Sequence, residues 1–166
     1  VYWSTMLIAL ELPLPRTIFA HGWWTVDGEK MSKSRQNVID PYAIVDTLGT
    51  DAFRYFLLRE VPFGQDGDFS HVSFIGRINS DLANGIGNLL SRTITLIQQN
   101  CEGKVPKPTS SETSNLEIEL QKTAQELIQE KLPHHLGSDR IEFNRALESI
   151  WRLDQQAKQN IDKPTP

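Results

Sequence analysis

From Val72 to about Gln99 the chain repeats apolar side chains at three- and four-residue steps: Ile75, Ile78, Leu82, Ile86, Leu89, Thr93 and Ile97. At about 100° per residue these fall on one side of a helix, and such a stripe must be buried against something. Two further runs share the period. Leu116 to Leu132 sets Leu116, Leu120, Ala124, Leu127 and Ile128 on one face, with Pro133 as its stop because proline lacks an amide hydrogen. Ser138 or Asp139 opens a last helix through about Asn160, turning Phe143, Ala146, Leu147, Ile150, Ala157 and Ile161 inward, with Trp151 completing that core. Three such helices, joined by connectors such as the Pro-, Lys- and Ser-rich stretch from Cys101 to Ser114, make a bundle.

The first half is built differently. Val1 to Glu11 reads as a helix with Trp3, Met6, Leu7 and Leu10 on its apolar face, ended by Pro13 and Pro15. Thr17 to Ala20 reads as a buried strand, and helix followed by buried strand is the tail of an α/β unit. His21-Gly22 leaves that strand. Trp23 to Val26, Asp27-Gly28 and Glu29 to Met31 form a hairpin signal, since Asp-Gly supplies the positive φ angles of a type I′ turn. Asp40-Pro41 starts a helix that Gly49 closes, and Ala52 to Glu60 is a second, buried through Phe53, Phe56 and Leu57. Val61 to Ser70 is a loop by composition; its Asp66 and Asp68 lack the longer ligand ladder of a calcium loop. Because the chain begins at Val1 within an apolar helix face, it is expected to be a piece of a longer protein.

Bulk properties bound the partners. With 166 residues, 39% of them hydrophobic, the chain can bury a core. A net charge of −4 excludes a generally basic nucleic-acid binder, so any nucleic acid must be held by a few placed residues. Cys101 stands alone, which fits a reducing compartment, and no segment approaches a membrane span.

The chemistry concentrates in two places. Lys30-Met31-Ser32-Lys33-Ser34 carries two cations and two hydroxyls on a loop leaving a tight turn. That suits phosphate, although two lysines alone are commonly a solvated loop. His21 is either a ligand contact or a plain strand-end histidine. On the long helix, Asn84, Asn88 and Arg92 line up four apart on the polar side, with Arg77 and Asp81 near them. A solvated face is one reading. A reader of base edges is the other, because asparagine is a poor helix former and both donates and accepts, while arginine forks to a base or phosphate. His134-His135 read as surface residues, without a metal.

The stretch from His21 through Trp23-Trp24-Thr25-Val26-Asp27-Gly28-Glu29 to the lysine loop resembles the second signature of class I aminoacyl-tRNA synthetases, in its methionyl form. Pro62 to Phe69, Asn79-x-Asp81-Leu82-Ala83-Asn84 and Gly87-Asn88-Leu89-x-Ser91-Arg92 are similar to the same family. The resemblance is dense to about Ile97 and thinner beyond.

It implies activation of methionine by ATP with Mg2+ and transfer to tRNA(Met), in the cytoplasm. Lys33 would be the main phosphate contact and Lys30 its support, with His21, Gly22, Met31, Ser32 and Ser34 completing the nucleotide site. Tyr2 and Trp3 would lie near the methionine pocket wall, and Asn88 and Arg92 would read the anticodon with Asn84 one turn before them. The implied fold is the α/β tail of a Rossmann-type catalytic domain over residues 1–70, followed by a mainly α-helical anticodon-binding bundle over 71–166, mostly α in total. The first signature, His-x-Gly-His, does not occur here, and the family's zinc knuckle would lie upstream, so the chain alone is expected not to catalyse. Arg35-Gln36-Asn37 stands where the family has x-Gly-Asn, Ser4 where it commonly has proline, and Ala157 to Asp162 matches its motif only in part. Rival readings are another class I synthetase and a non-catalytic tRNA-binding module.

Overall fold

The structure is a computed structural model that describes residues 2–107, 114–137 and 140–162. It is mostly helical with one small sheet. Val1, the connector between 108 and 113, the expected helix start at Ser138 or Asp139, and residues 163–166 lie outside the described residues.

α1 (Tyr2–Ala9) forms as expected but is exposed along much of its length, with Tyr2 at 88% and Trp3 at 55%. The segment after it corrects an expectation. Thr17 to Ala20 is neither strand nor buried; Ile18 stands 69% exposed. Among the described residues no strand pairs with it, and an apolar run without a partner strand has no ladder to join.

The sheet lies further on, in the order β2-β1-β3. β1 (Trp24–Val26) and β2 (Glu29–Lys30) are the expected antiparallel hairpin, and Asp27 (φ 50°) and Gly28 (φ 76°) supply the left-handed pair of the turn. β3 (Gly67–Phe69) runs parallel to β1 in the register Trp24↔Gly67, Thr25↔Asp68 and Val26↔Phe69. That pairing rests on glycine: a Cβ on Gly67 would stand 2.5 Å from Val61 Cγ2 and 3.1 Å from the Trp24 ring.

Against the sheet pack α2 (Pro41–Leu48), capped by Asp40 through the Tyr42 amide, and α3 (Thr50–Glu60). Ile44, Phe56, Phe69 and Phe74 form the buried core, and Trp24, Ile39, Phe53 and Leu57 close around it. Phe56 is fully buried, its ring 5.1 Å from Phe74, 5.5 Å from Phe69 and 6.0 Å from Trp24 between centroids. The hairpin therefore sits on an aromatic floor.

The long helix departs from a single regular rod. α4 (His71–Arg77) is followed by a wide-turn segment, Ile78–Gly87, then by α5 (Asn88–Asn100). Gly85 leaves helical geometry (φ −79°, ψ −113°), and a Cβ there would stand 3.5 Å from the Trp151 ring. Wide turns take more residues per revolution than 3.6, so faces drawn at that period rotate. Ile78, Leu82, Leu89, Thr93 and Ile97 keep the inward side, whereas Ile75 and Ile86 are exposed.

α6 (Asn115–Glu126), opened by a Ser114–Glu117 capping box, continues through a second wide turn (Leu127–Lys131) into α7 (Leu132–His135). Pro133 thus lies inside the helical run rather than ending it. The Leu132 amide reaches back five residues to the Leu127 carbonyl, and a widened turn eases the clash a proline ring makes with an ordinary one. The same turn swings Ile128 outward. α8 (Phe143–Asp162) follows Glu142, whose carbonyl accepts from the Ala146 amide at 3.0 Å, and runs for twenty residues, burying Ala146 and Asp154.

Candidate functional site

The lysine loop is braced from within its own turn. The Asn37 side chain accepts from the Ser32 amide (2.8 Å) and donates to the Lys30 carbonyl (3.2 Å), tying the two ends together. Lys33–Arg35 is a single 3-10 turn, and Gln36 follows it in the left-handed region (φ 56°, ψ 26°). Arg35 is drawn back onto Glu29 (3.1 Å), while Ser32 Oγ and Ser34 Oγ bond to each other at 2.7 Å. Lys30 and Lys33 are exposed and, among the described residues, carry no ion-pair partner. Two uncommitted ammonium groups thus stand on a loop whose arginine is neutralised.

Sequence reading misses the residues that hold this hairpin. Asp68 Oδ1 accepts from Thr25 Oγ1 (2.5 Å) and from the Gly28 amide (2.7 Å), so it grips both the strand and the turn. The Thr25 hydroxyl, then the Gly28 amide, hold its carboxyl below the usual range. Asp66 Oδ1 accepts from the Trp23 amide at 2.7 Å. The Asp-x-Asp pair is a pair of backbone clamps. Its spacing is legible, but its partners lie some forty residues upstream, where local pattern carries no signal.

His21 and Gly22 precede the hairpin. A Cβ on Gly22 would overlap the Gln65 carbonyl oxygen at 2.0 Å, so glycine is demanded there by backbone packing. His21 is exposed; its Nδ1 lies 2.7 Å from the Gly22 carbonyl and its ring 6.4 Å from Phe63. Phe63 also meets Phe19 and Phe143, which joins this segment to α8. Met31 is half-buried. Tyr2 and Trp3 share no hydrogen bond, ion pair or ring contact with these residues among the described ones.

The polar row divides. Asn84 and Asn88 are exposed on either side of the Gly85 kink, and the Asn84 carbonyl accepts from Lys158. Arg92 pairs with Asp162 at the end of α8, and that contact holds the Asp162 carboxyl below the usual range. Arg77 and Asp81 turn inward instead. Asp81 accepts from Tyr55 (2.6 Å) and pairs with Arg59 and Arg77, and Arg77 also binds Glu60 (2.9 Å). Burial, then the Asp81 hydrogen bond, push the Tyr55 phenol above its ordinary range. These two belong to the joint with α3, because the wide turn rotates them off the asparagine face.

His134 and His135, which read as plain surface residues in the sequence, come together with Glu142. His135 Nδ1 lies 2.8 Å from Glu142 Oε2, and Arg140 Nη1 lies 3.0 Å from His134 Nε2.

Residues 1–94 match the family model described as tRNA synthetases class I (M). The chain is 51% identical over its full length to a methionine–tRNA ligase of Caldanaerobacter subterraneus subsp. tengcongensis, of which it covers 25%. It is 46% identical to the Enterococcus faecalis methionine–tRNA ligase, again over its whole length and over 24% of that protein. A crystal structure of Mycobacterium tuberculosis methionyl-tRNA synthetase bound by methionyl-adenylate superposes with a TM-score of 0.81 at 43% identity, over 96% of this chain and 30% of that one. The chain thus spans about a quarter of the length of these curated relatives.

Proposed function

The chain belongs to the class I (M) tRNA synthetases, and from that premise we propose that it is the stretch of a cytoplasmic methionine–tRNA ligase running from the ATP site into the anticodon-binding helices. Residues 1–70 close the catalytic domain, and 71–166 begin the anticodon-binding bundle. The observation that carries this reading is the pair of ammonium groups, Lys30 and Lys33, left without an ion-pair partner among the described residues on a loop fixed at both ends by Asn37.

In the activation step a methionine carboxylate oxygen bonds to the α-phosphorus of ATP as the bond to the bridging oxygen of pyrophosphate breaks. Negative charge gathers on the leaving phosphates, and fixed cations beside them lower the barrier without having to reorganise. Lys33 is the principal cation and Lys30 the second. Mg2+ bound with ATP would neutralise part of the phosphate charge beside these lysines, and Glu29, the loop's own carboxylate, is held by Arg35. His21, Gly22, Met31, Ser32 and Ser34 border the nucleotide, while Tyr2 and Trp3 face the methionine side.

Transfer to tRNA(Met) uses the second place. Asn88 and Arg92, four residues apart on α5, present an amide and a guanidinium for the anticodon, with Asn84 just before the kink. Arg92 exchanges Asp162 for a base or phosphate as tRNA binds. Amino-acid dependence tests the proposal: the full-length protein should exchange pyrophosphate into ATP with methionine and not with leucine, valine or cysteine. Exchange driven by one of the other three would overturn it.

A further inference from the structure

The turn between α7 and α8 gathers a set of donors that the synthetase reading does not use. One ligand atom each from His134, His135 and Glu142 lies within 4.8 Å of the other two. The set is held in place before any ligand arrives. The Glu142 amide donates to the His135 carbonyl at 3.0 Å, and the side chains of that pair are partly buried, with 14% of the histidine and 33% of the glutamate surface exposed.

Arg140 reveals what the set can bind. A guanidinium has only donors, so the His134 Nε2 that lies 3.0 Å from Arg140 Nη1 accepts through its lone pair. A lone pair of that kind is what an imidazole offers a metal. A cation therefore already stands against the His134 imidazole, supplied by an exposed side chain that can swing away.

We propose that His134, His135 and Glu142 form a binding site for a divalent transition-metal ion of the zinc or nickel type, in which Arg140 occupies the cation position when no metal is bound. Two imidazoles and one carboxylate suit such ions and not calcium or magnesium, which take oxygen ligands. With three protein ligands, water completes the shell. The ion joins the end of α7 to the residue that precedes α8, in place of the His135–Glu142 hydrogen bond, and so clamps the two helices.

Calorimetric titration of the full-length protein with Zn2+ alone, and separately with Ni2+, tests the site against variants of its parts. His134→Ala and Glu142→Gln should each weaken binding at this site at least tenfold, whereas Arg140→Gln should tighten it several-fold by removing the competitor. The last result separates a built site from a chance histidine pair, for which Arg140 is irrelevant. Zn2+ should also raise the melting temperature of the unaltered chain and not that of Glu142→Gln. Binding that is absent, or indifferent to Glu142→Gln, or weakened or unchanged by Arg140→Gln, would overturn the proposal. Methionine-dependent exchange is measured in parallel, and its presence or absence bears on the synthetase reading alone.

Discussion

Gln36 is the residue at which the loop's backbone and its sequence disagree most. It sits at φ 56°, ψ 26°, a region where a side chain costs about 1–2 kcal/mol through contact between Cβ and the carbonyl oxygen. Its amide closes the 3-10 turn by donating to the Lys33 carbonyl at 3.2 Å, and Asn37 next to it bridges the loop, so the angle is imposed from both sides. Gln36→Gly removes that contact but adds freedom to the unfolded chain worth roughly 0.5–1 kcal/mol. At mid-range the two effects leave a stabilisation of about 0.75 kcal/mol. For a chain of 166 residues that raises the melting temperature by about 1–4 °C. Gln36→Val should move it the other way, because a β-branched residue tolerates positive φ worst. Thermal unfolding followed by circular dichroism measures all three proteins together. If valine were accepted as readily as glycine, the left-handed position would not be a constraint and the reasoning would fail.

Three further outcomes follow from the same contacts. Phe56→Ala empties the centre of the core between Trp24, Phe69 and Phe74 and should cost about 3–5 kcal/mol in chemical denaturation; a loss below about 1 kcal/mol would mean the core does not support the hairpin. The Asp68 carboxyl, depressed from its ordinary value of 3.8 by Thr25 and Gly28, stabilises the turn above that pH and loses its effect as pH falls through the lower folded value. Protection of the Gly28 amide from hydrogen exchange should accordingly weaken on acidification in the unaltered chain and be weak at every pH in Asp68→Ala. Arg92→Gln should reduce discrimination between anticodons by about tenfold or more while leaving methionine-dependent exchange intact, and equal loss of both would assign Arg92 a structural role.

Local chemistry is legible where the cause is local. Asp27-Gly28 specifies its turn by φ preference alone, and Asp40-Pro41 specifies a helix start by capping, so two residues suffice to read each. Phe53, Phe56 and Leu57 declare a buried side by spacing, and the three helical runs of the second half declare most of theirs. Features set by distant partners are not legible. β3 is three residues, Gly67 to Phe69, inside a segment whose composition signals a loop; it becomes a strand because β1 supplies the ladder and Asp66 and Asp68 grip the hairpin. Thr17 to Ala20 shows the reverse, apolar enough for a strand but without a partner among the described residues. The wide turns at Ile78–Gly87 and Leu127–Lys131 leave no mark on a wheel drawn at 3.6 residues, so Ile75, Ile86 and Ile128 fall inward on that wheel and stand outside in the structure.

In the candidate site the residue types are visible in the sequence and their commitments are not. The lysines read as phosphate ligands, but that Arg35 is neutralised by Glu29 while Lys30 and Lys33 remain available is a matter of side-chain geometry. Gly22 reads as part of a ligand site, and its first constraint is the Gln65 backbone. Arg77 and Asp81 look like neighbours of the asparagine row and are instead shared with Tyr55, Arg59 and Glu60.

The most direct measurement is pyrophosphate exchange by the full-length protein carrying Lys33→Ala. If Lys33 stabilises charge on the departing phosphates, kcat should fall by about 10²- to 10³-fold, with thermal stability unchanged because the side chain is exposed and has no ion-pair partner among the described residues. An exchange rate equal to that of the unaltered protein would contradict the account.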